Sequence, residues 1–425
     1  MNRHRAKRRP AALTGDQRDS KTSTASAARA PGRLHRRCAQ NGATDRLNAV
    51  LASQSAPALT EALADPSPEV ARAAIHRLAQ VEGPRAASAL RARLLDADPS
   101  LVADIAKALR AIGDATLLDL ALLGLHEQPY TRRLAAARAL GALADPHAAD
   151  ALCDALDDEV AAVRIAALDA LAALGPAAAA GPACARLLAD SSAHVRIAAV
   201  RAVARTAPHP GTLLAPAAAD GDRLVRLAVA RHISGLPEQA ATSLLGDRDV
   251  QVRVAAADAA GMRHLGGLVL LLTEDPSRDV RLAAAHTLGR LGDARVADVL
   301  IAGVEDRDAI VRAAVVRGLE QLVRRGGAVR RLCHELDSGR PGRRRASLYA
   351  LARLEALEAS GCVARLAGDP DPDVRLAVIH TARSLLSNPE PLVRHLSTDR
   401  DVTVRHAAEL WLLANAERSV PIERR

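Results

Sequence analysis

The chain of 425 residues is 49 % hydrophobic, chiefly Ala, Leu and Val, with no Phe, two Tyr and one Trp. So few aromatics exclude an aromatic-lined nucleic-acid channel, and no apolar run is long enough to span a membrane. The net charge of +9 is not spread out: residues 1–46 hold twelve Lys/Arg against Asp16, Asp19 and Asp45, while residues 47–425 balance 46 basic against 46 acidic residues, which excludes a basic stripe along the fold.

Residues 1–46 are rich in Ala, Ser and Thr and lack hydrophobic periodicity, so they read as a disordered basic tail. Any nucleic-acid or anionic-membrane contact is expected through this tail alone. No apolar segment follows Arg8-Arg9, so an export signal is not expected.

From residue 47 to 416 one pattern recurs, seen most fully in DPSRDVRLAAAHTLG, Asp275 to Gly289. The Arg of its Val-Arg pair falls at Arg133, Arg164, Arg196, Arg226, Arg253, Arg281, Arg312, Arg344, Arg375 and Arg405, in steps of 27 to 32 residues. The same register backwards lands on Ala103 and Ala71, which gives twelve units, the first two reading as a worn N-terminal cap. Each unit predicts two helices. Four residues before the Arg slot stands a capping residue such as Ser67, Ser192, Asp222, Asp249, Ser277, Asp308, Asp371 or Asp401. Val one before the slot, Ala two after and an apolar residue seven after trace one helical face. A pair of short helices cannot bury its faces alone, so neighbouring units must stack.

An acid six residues before the Arg slot recurs, for example at Asp158, Asp190, Asp220, Asp247, Asp275, Asp306, Asp369 and Asp399. Acid in the turn and Arg one helical turn later predict a partly buried ladder of charge-assisted bonds between adjacent units, fixing register more than adding stability.

The DPxxxVRxAAxxLG pattern resembles the HEAT-like repeat of the short phycobilin-lyase type. That resemblance implies an all-α fold, a right-handed α-solenoid of the armadillo/HEAT-like kind, with second helices lining a concave face used mostly for protein binding. Residues 417–425 are left as a C-terminal tail.

The slot five after the Arg position holds His76, Arg138, Asp169, Arg201, Arg231, Asp258, His286, Arg317, Tyr349 and His380, and is expected to be the exposed ridge of that face. Arg201, Arg231, His286, Arg317, Tyr349 and His380 are its candidate partner contacts. The tenth unit departs furthest: DSGRPGRRRASLYAL, Asp337 to Leu351, gathers Arg340, Arg343, Arg344 and Arg345, with Arg324, Arg325, Arg330 and Arg331 close by. Arg forks there are candidates for an acidic partner or other anion.

No Gly-rich phosphate loop, nucleophile elbow or metal signature is present. The pairs His126-Glu127 and His334-Glu335 resemble the iron-binding pairs of deoxyhypusine hydroxylases but stand out of register with that family. Cys38, Cys153, Cys184, Cys333 and Cys362 form no CxxC pair and read as buried small apolar residues of a reducing compartment, the cytoplasm. The expectation is a non-enzymatic scaffold for a protein partner, without cofactor or metal. The alternatives are a lyase-like accessory enzyme and tethering through the basic tail.

Overall fold

Directly after an Asp or Ser, the chain turns helical again and again, and the computed structural model describes residues 42–292, 296–324 and 328–416. Residues 1–41 of the expected tail, with Cys38, lie outside the described residues, as do Arg325 and residues 417–425. Among the described residues the structure is all-helical, α-helices joined by short 3₁₀ turns.

The described residues form two compact units that divide between Gly83 and Pro84. In the first, helices Ala43–Ala52 and Ala56–Ala62 pack on Pro68–Glu82, burying Val50, Leu59, Val70, Ala74, Ile75 and Leu78. Helix begins at Ala43, ahead of the expected boundary at 47. The reason is electrostatic: Arg46 Nε donates to Asp65 Oδ2 at 2.9 Å and Nη2 to Oδ1 at 3.3 Å, so Arg46 has a partner within the folded unit.

In the second unit, helix pairs follow one another from Ala87–Leu94 with Val102–Ala111 to Glu390–Leu396 with Val402–Ala416. Within this unit each second helix packs on the elements just before it in its own repeat and on the neighbouring second helices of the unit. Buried positions are those the repeat predicts: Val163, Ala166 and Leu171, or Val280, Ala283 and Leu288, all buried. Each buried Val or Leu contributes about 1.5–3 kcal/mol, and the Ala rows between them let helix backbones approach. Where two second helices cross, a methyl on Gly289 would lie 2.5 Å from the Gly318 Cα.

The expected caps divide by chemistry. Asp222, Asp249, Asp308, Asp371 and Asp401 accept from backbone N–H groups of the first helical turn. Ser67, Ser192 and Ser277 do not cap, which corrects that expectation. Their own N–H groups instead donate at 2.8 Å to Asp65, Asp190 and Asp275 two residues earlier. That carboxylate, not the short hydroxyl, organises the turn.

Candidate functional site

The acid and the Arg of the repeat meet across units. Arg164 Nε and Nη2 donate to Asp190 Oδ2 and Oδ1 at 2.9 and 3.0 Å, while Nη1 reaches the Asp158 carbonyl at 2.8 Å. The same fork joins Arg133 to Asp158, Arg196 to Asp220, Arg226 to Asp247, Arg253 to Asp275, Arg281 to Asp306, Arg344 to Asp369 and Arg375 to Asp399. Geometry explains the spacing: the Arg holds its own turn through the carbonyl and the next turn through the carboxylate. Burial pushes Asp158, Asp190, Asp220, Asp247 and Asp306 upward, yet the fork and a backbone N–H outweigh it and hold each below the usual carboxylate range. At Asp399 the Arg375 fork is itself the largest influence, again downward.

Two expected rungs are corrected. Arg312 and Arg405 donate to the carbonyls of Asp306 and Asp399 at 2.7 and 2.6 Å but meet no carboxylate among the described residues. Ser338 occupies the acid slot after Arg312, and no described unit follows Arg405.

On the other side of the second helices, Arg138, Asp169, Arg201, Arg231, Asp258, His286, Arg317, Tyr349 and His380 are all exposed, and His76 holds the same position in the first unit. Several touch along the row: Arg201 Nη2 to Asp169 at 2.8 Å, Arg317 Nη2 to His286 Nε2 at 3.2 Å, and Tyr349 Oη to His380 Nδ1 at 3.3 Å. Burial pushes the Asp258 carboxyl up, opposed by His286 and Arg290. Burial also pushes the Tyr349 hydroxyl up. Beside the row runs a groove of about 510 Å³ with a floor of Ala103, Ala137, Gly141, Ala166 and Ala170 and a rim of Lys107, Arg138 and Asp169.

The tenth unit is more self-satisfied than its sequence reads. Arg344, proposed for a partner, is 8 % exposed, its fork taken by Asp369 at 2.7 and 2.8 Å and its Nη1 by the Ser338 carbonyl; it is a rung, not a contact. Arg340, Arg343 and Arg345 lie 3.4, 3.8 and 3.1 Å from Glu305, Glu335 and Asp373. Of these three, Arg340 is the most exposed.

The thiols depart from the expectation of uniform burial. Among the described thiols only Cys184 is buried, while Cys153, Cys333 and Cys362 are half-buried. Burial, followed by the nearby Cys362 of the neighbouring unit, pushes Cys333 up to about 11. Burial, followed by the nearby Cys153, pushes Cys184 up to about 12. Spacing arithmetic misses such pairs because the partners are a whole repeat apart. Trp411 is half-exposed beside exposed Leu410 and Leu413, and lines an open cleft with Pro389, Arg394 and Leu412. Among the described residues no cluster of His, Cys, Asp or Glu is arranged to hold a metal ion, and no helix is long and apolar enough to cross a membrane.

Stacked helix pairs locked by a repeated rung define an α-solenoid. A family model for HEAT repeats matches residues 42–110, 56–140, 115–204, 238–320 and 265–352, together more than half of the chain. The chain belongs to the HEAT-repeat family. No curated protein matches it. Among solved structures it is similar to Escherichia coli YibA, with 19 % identity over 71 % of this chain and 100 % of that one and a TM-score of 0.40. An engineered protein matches at 18 % identity over 85 % and 98 %, with a TM-score of 0.31. A chain from a structure of Kap95p with RanGDP matches at 14 % identity over 93 % and 60 %, with a TM-score of 0.45.

Proposed function

We propose that this protein is a non-enzymatic scaffold that receives a protein partner along the ridge of its second helices. The observation that supports this most is the separation of duties within each second helix. At Arg201, Arg317 and His380 the ridge side chain is exposed, while Val200, Ala202, Leu319 and Ile379 beside or near them are buried. Ridge chemistry can therefore vary from unit to unit without disturbing the core. Mixed signs along the row, with Arg231 and Arg317 set among Asp169 and Asp258, suit a partner segment of mixed charge rather than a nucleic-acid backbone.

We read the repeats as the short phycobilin-lyase type on their DPxxxVRxAAxxLG pattern, and the compartment as the cytoplasm on four free cysteines. The test is affinity capture from nuclease-treated lysate with the full chain and with a triple variant, Arg201→Glu, Arg231→Glu and Arg317→Glu. A stoichiometric protein captured by the first and lost by the second is the expected result. Equal capture by both sinks the ridge reading.

A further inference from the structure

The ladder contains its own description of what a rung needs, and one internal position lacks it. In eight rungs the Arg Nε and Nη2 are both occupied by one Asp carboxylate of the next unit. At Arg312 the near half is in place, with Nη1 on the Asp306 carbonyl at 2.7 Å, as in every other rung. The far half is missing. Ser338 stands where an Asp is required, and its Oγ accepts from the Arg340 N–H at 3.3 Å. Nε and Nη2 of Arg312 meet no acceptor among the described residues, and neither atom is buried.

The charge around this fork is inverted as well. In most other units the helix cap that follows the rung acid is an Asp or Ser, such as Asp222, Asp249 or Asp308, and elsewhere it is uncharged, as at Pro129 and Val160; Asp222 and Asp249 lie near the preceding Arg. Here the cap position is Arg340, 67 % exposed on its side chain. The neighbouring acids are engaged elsewhere: Asp337 with Arg365 at 3.3 Å, Glu335 with Arg343 at 3.8 Å, Glu305 with Arg340 at 3.4 Å, and Asp308 with the N–H of Ile310 at 2.8 Å. Two positions that are acidic or neutral elsewhere are thus neutral and positive here, around a guanidinium already held in carboxylate-accepting orientation by its carbonyl anchor.

We propose that the Arg312 fork, with Arg340 at the same turn, is a docking point for a carboxylate side chain of an acidic peptide segment, which completes the rung from outside. An Asp or Glu side chain is the occupant because the eight filled rungs hold that group and no other, and because a planar guanidinium matches a carboxylate through two parallel bonds. The site lies in the interhelix turns, away from the ridge, so it stands or falls independently of the ridge.

The probe is a fluorescein-labelled oligo-aspartate peptide titrated into the full chain and followed by anisotropy. Basic residues before 42 add the same background to every variant, so differences between variants carry the result. Ser338→Asp supplies the missing carboxylate internally, and both it and Arg312→Gln are expected to weaken peptide binding about tenfold or more. Ser338→Ala, which adds no charge, is expected to bind as the wild type does. Ser338→Asp is also expected to raise the melting temperature, which separates an occupied fork from a misfolded variant. Undiminished binding by Ser338→Asp or Arg312→Gln overturns the proposal. So does displacement of the peptide by inorganic phosphate as readily as by unlabelled peptide, which would assign the fork to phosphate instead.

Discussion

At the scale of single residues, the rung arginines are worth more broken than made. Arg281 is 4 % exposed and Asp306 nearly as buried, so each charge is expensive to leave without the other. Arg281→Ala is expected to lower unfolding free energy by about 3 kcal/mol in a denaturant titration, whereas the double change Arg281→Met with Asp306→Leu recovers most of that loss. A single variant as stable as wild type would refute a structural role for the fork. The residue types and their spacing are plain in the sequence, since Val-Arg and the preceding acid recur at fixed offsets. What spacing does not reveal is direction: whether an Arg serves the acid of its own turn or that of the next unit. Nor does it reveal occupancy. Arg344 reads as part of a basic patch because its neighbours Arg343 and Arg345 are basic, yet its partner Asp369 lies 25 residues away.

At the scale of helices, packing tolerance differs sharply between positions of like sequence. Gly289 and Gly266 are both helical glycines. A methyl at Gly289 meets the Gly318 backbone at 2.5 Å, whereas at Gly266 nothing lies within 4 Å. The same change to Ala is therefore expected to act with opposite sign. Gly289→Ala should destabilise by about 1–3 kcal/mol through overpacking, and Gly266→Ala should stabilise by about 0.5–1 kcal/mol through helix propensity. Thermal denaturation of the two single variants checks this, and a stabilised Gly289→Ala would mean that the helices are not in close contact. Helix existence and type were legible from the period of Val, Ala and Leu. The helix Ala43–Ala52 was not, because it carries Asp45-Arg46 in place of Val-Arg, and only the contact with Asp65 reveals its membership.

At the scale of the molecule, the shifted carboxylates and histidines combine into a pH profile. His232 and His264 are pushed below the ordinary 6.5, first by burial and then by Arg231 and Arg263. The unfolded chain thus takes up those protons before the folded one, so stability is full above about pH 6.5 and declines as pH falls below it. For the depressed Asp carboxylates of the ladder the contribution is present above about 3.8 and is lost as pH falls through their lower folded values. Asp258, raised by burial, runs the other way and offsets a small part. Melting temperature is expected to drop modestly between about pH 7 and 5 and steeply below about pH 4. His232→Gln with His264→Gln should flatten the upper step alone, and an upper step that survives in this variant would assign it to other groups.

The fork that joins one unit to the next has the same two-residue address at eight junctions: an Arg ahead of a helix turn and an Asp some two dozen residues further on. Deletion or duplication of a whole unit between two such junctions would leave the new seam already complementary. Copy number is therefore an easy quantity for this architecture to change. Among the Arg slots that a described unit follows, Arg312 facing Ser338 is the seam without that address.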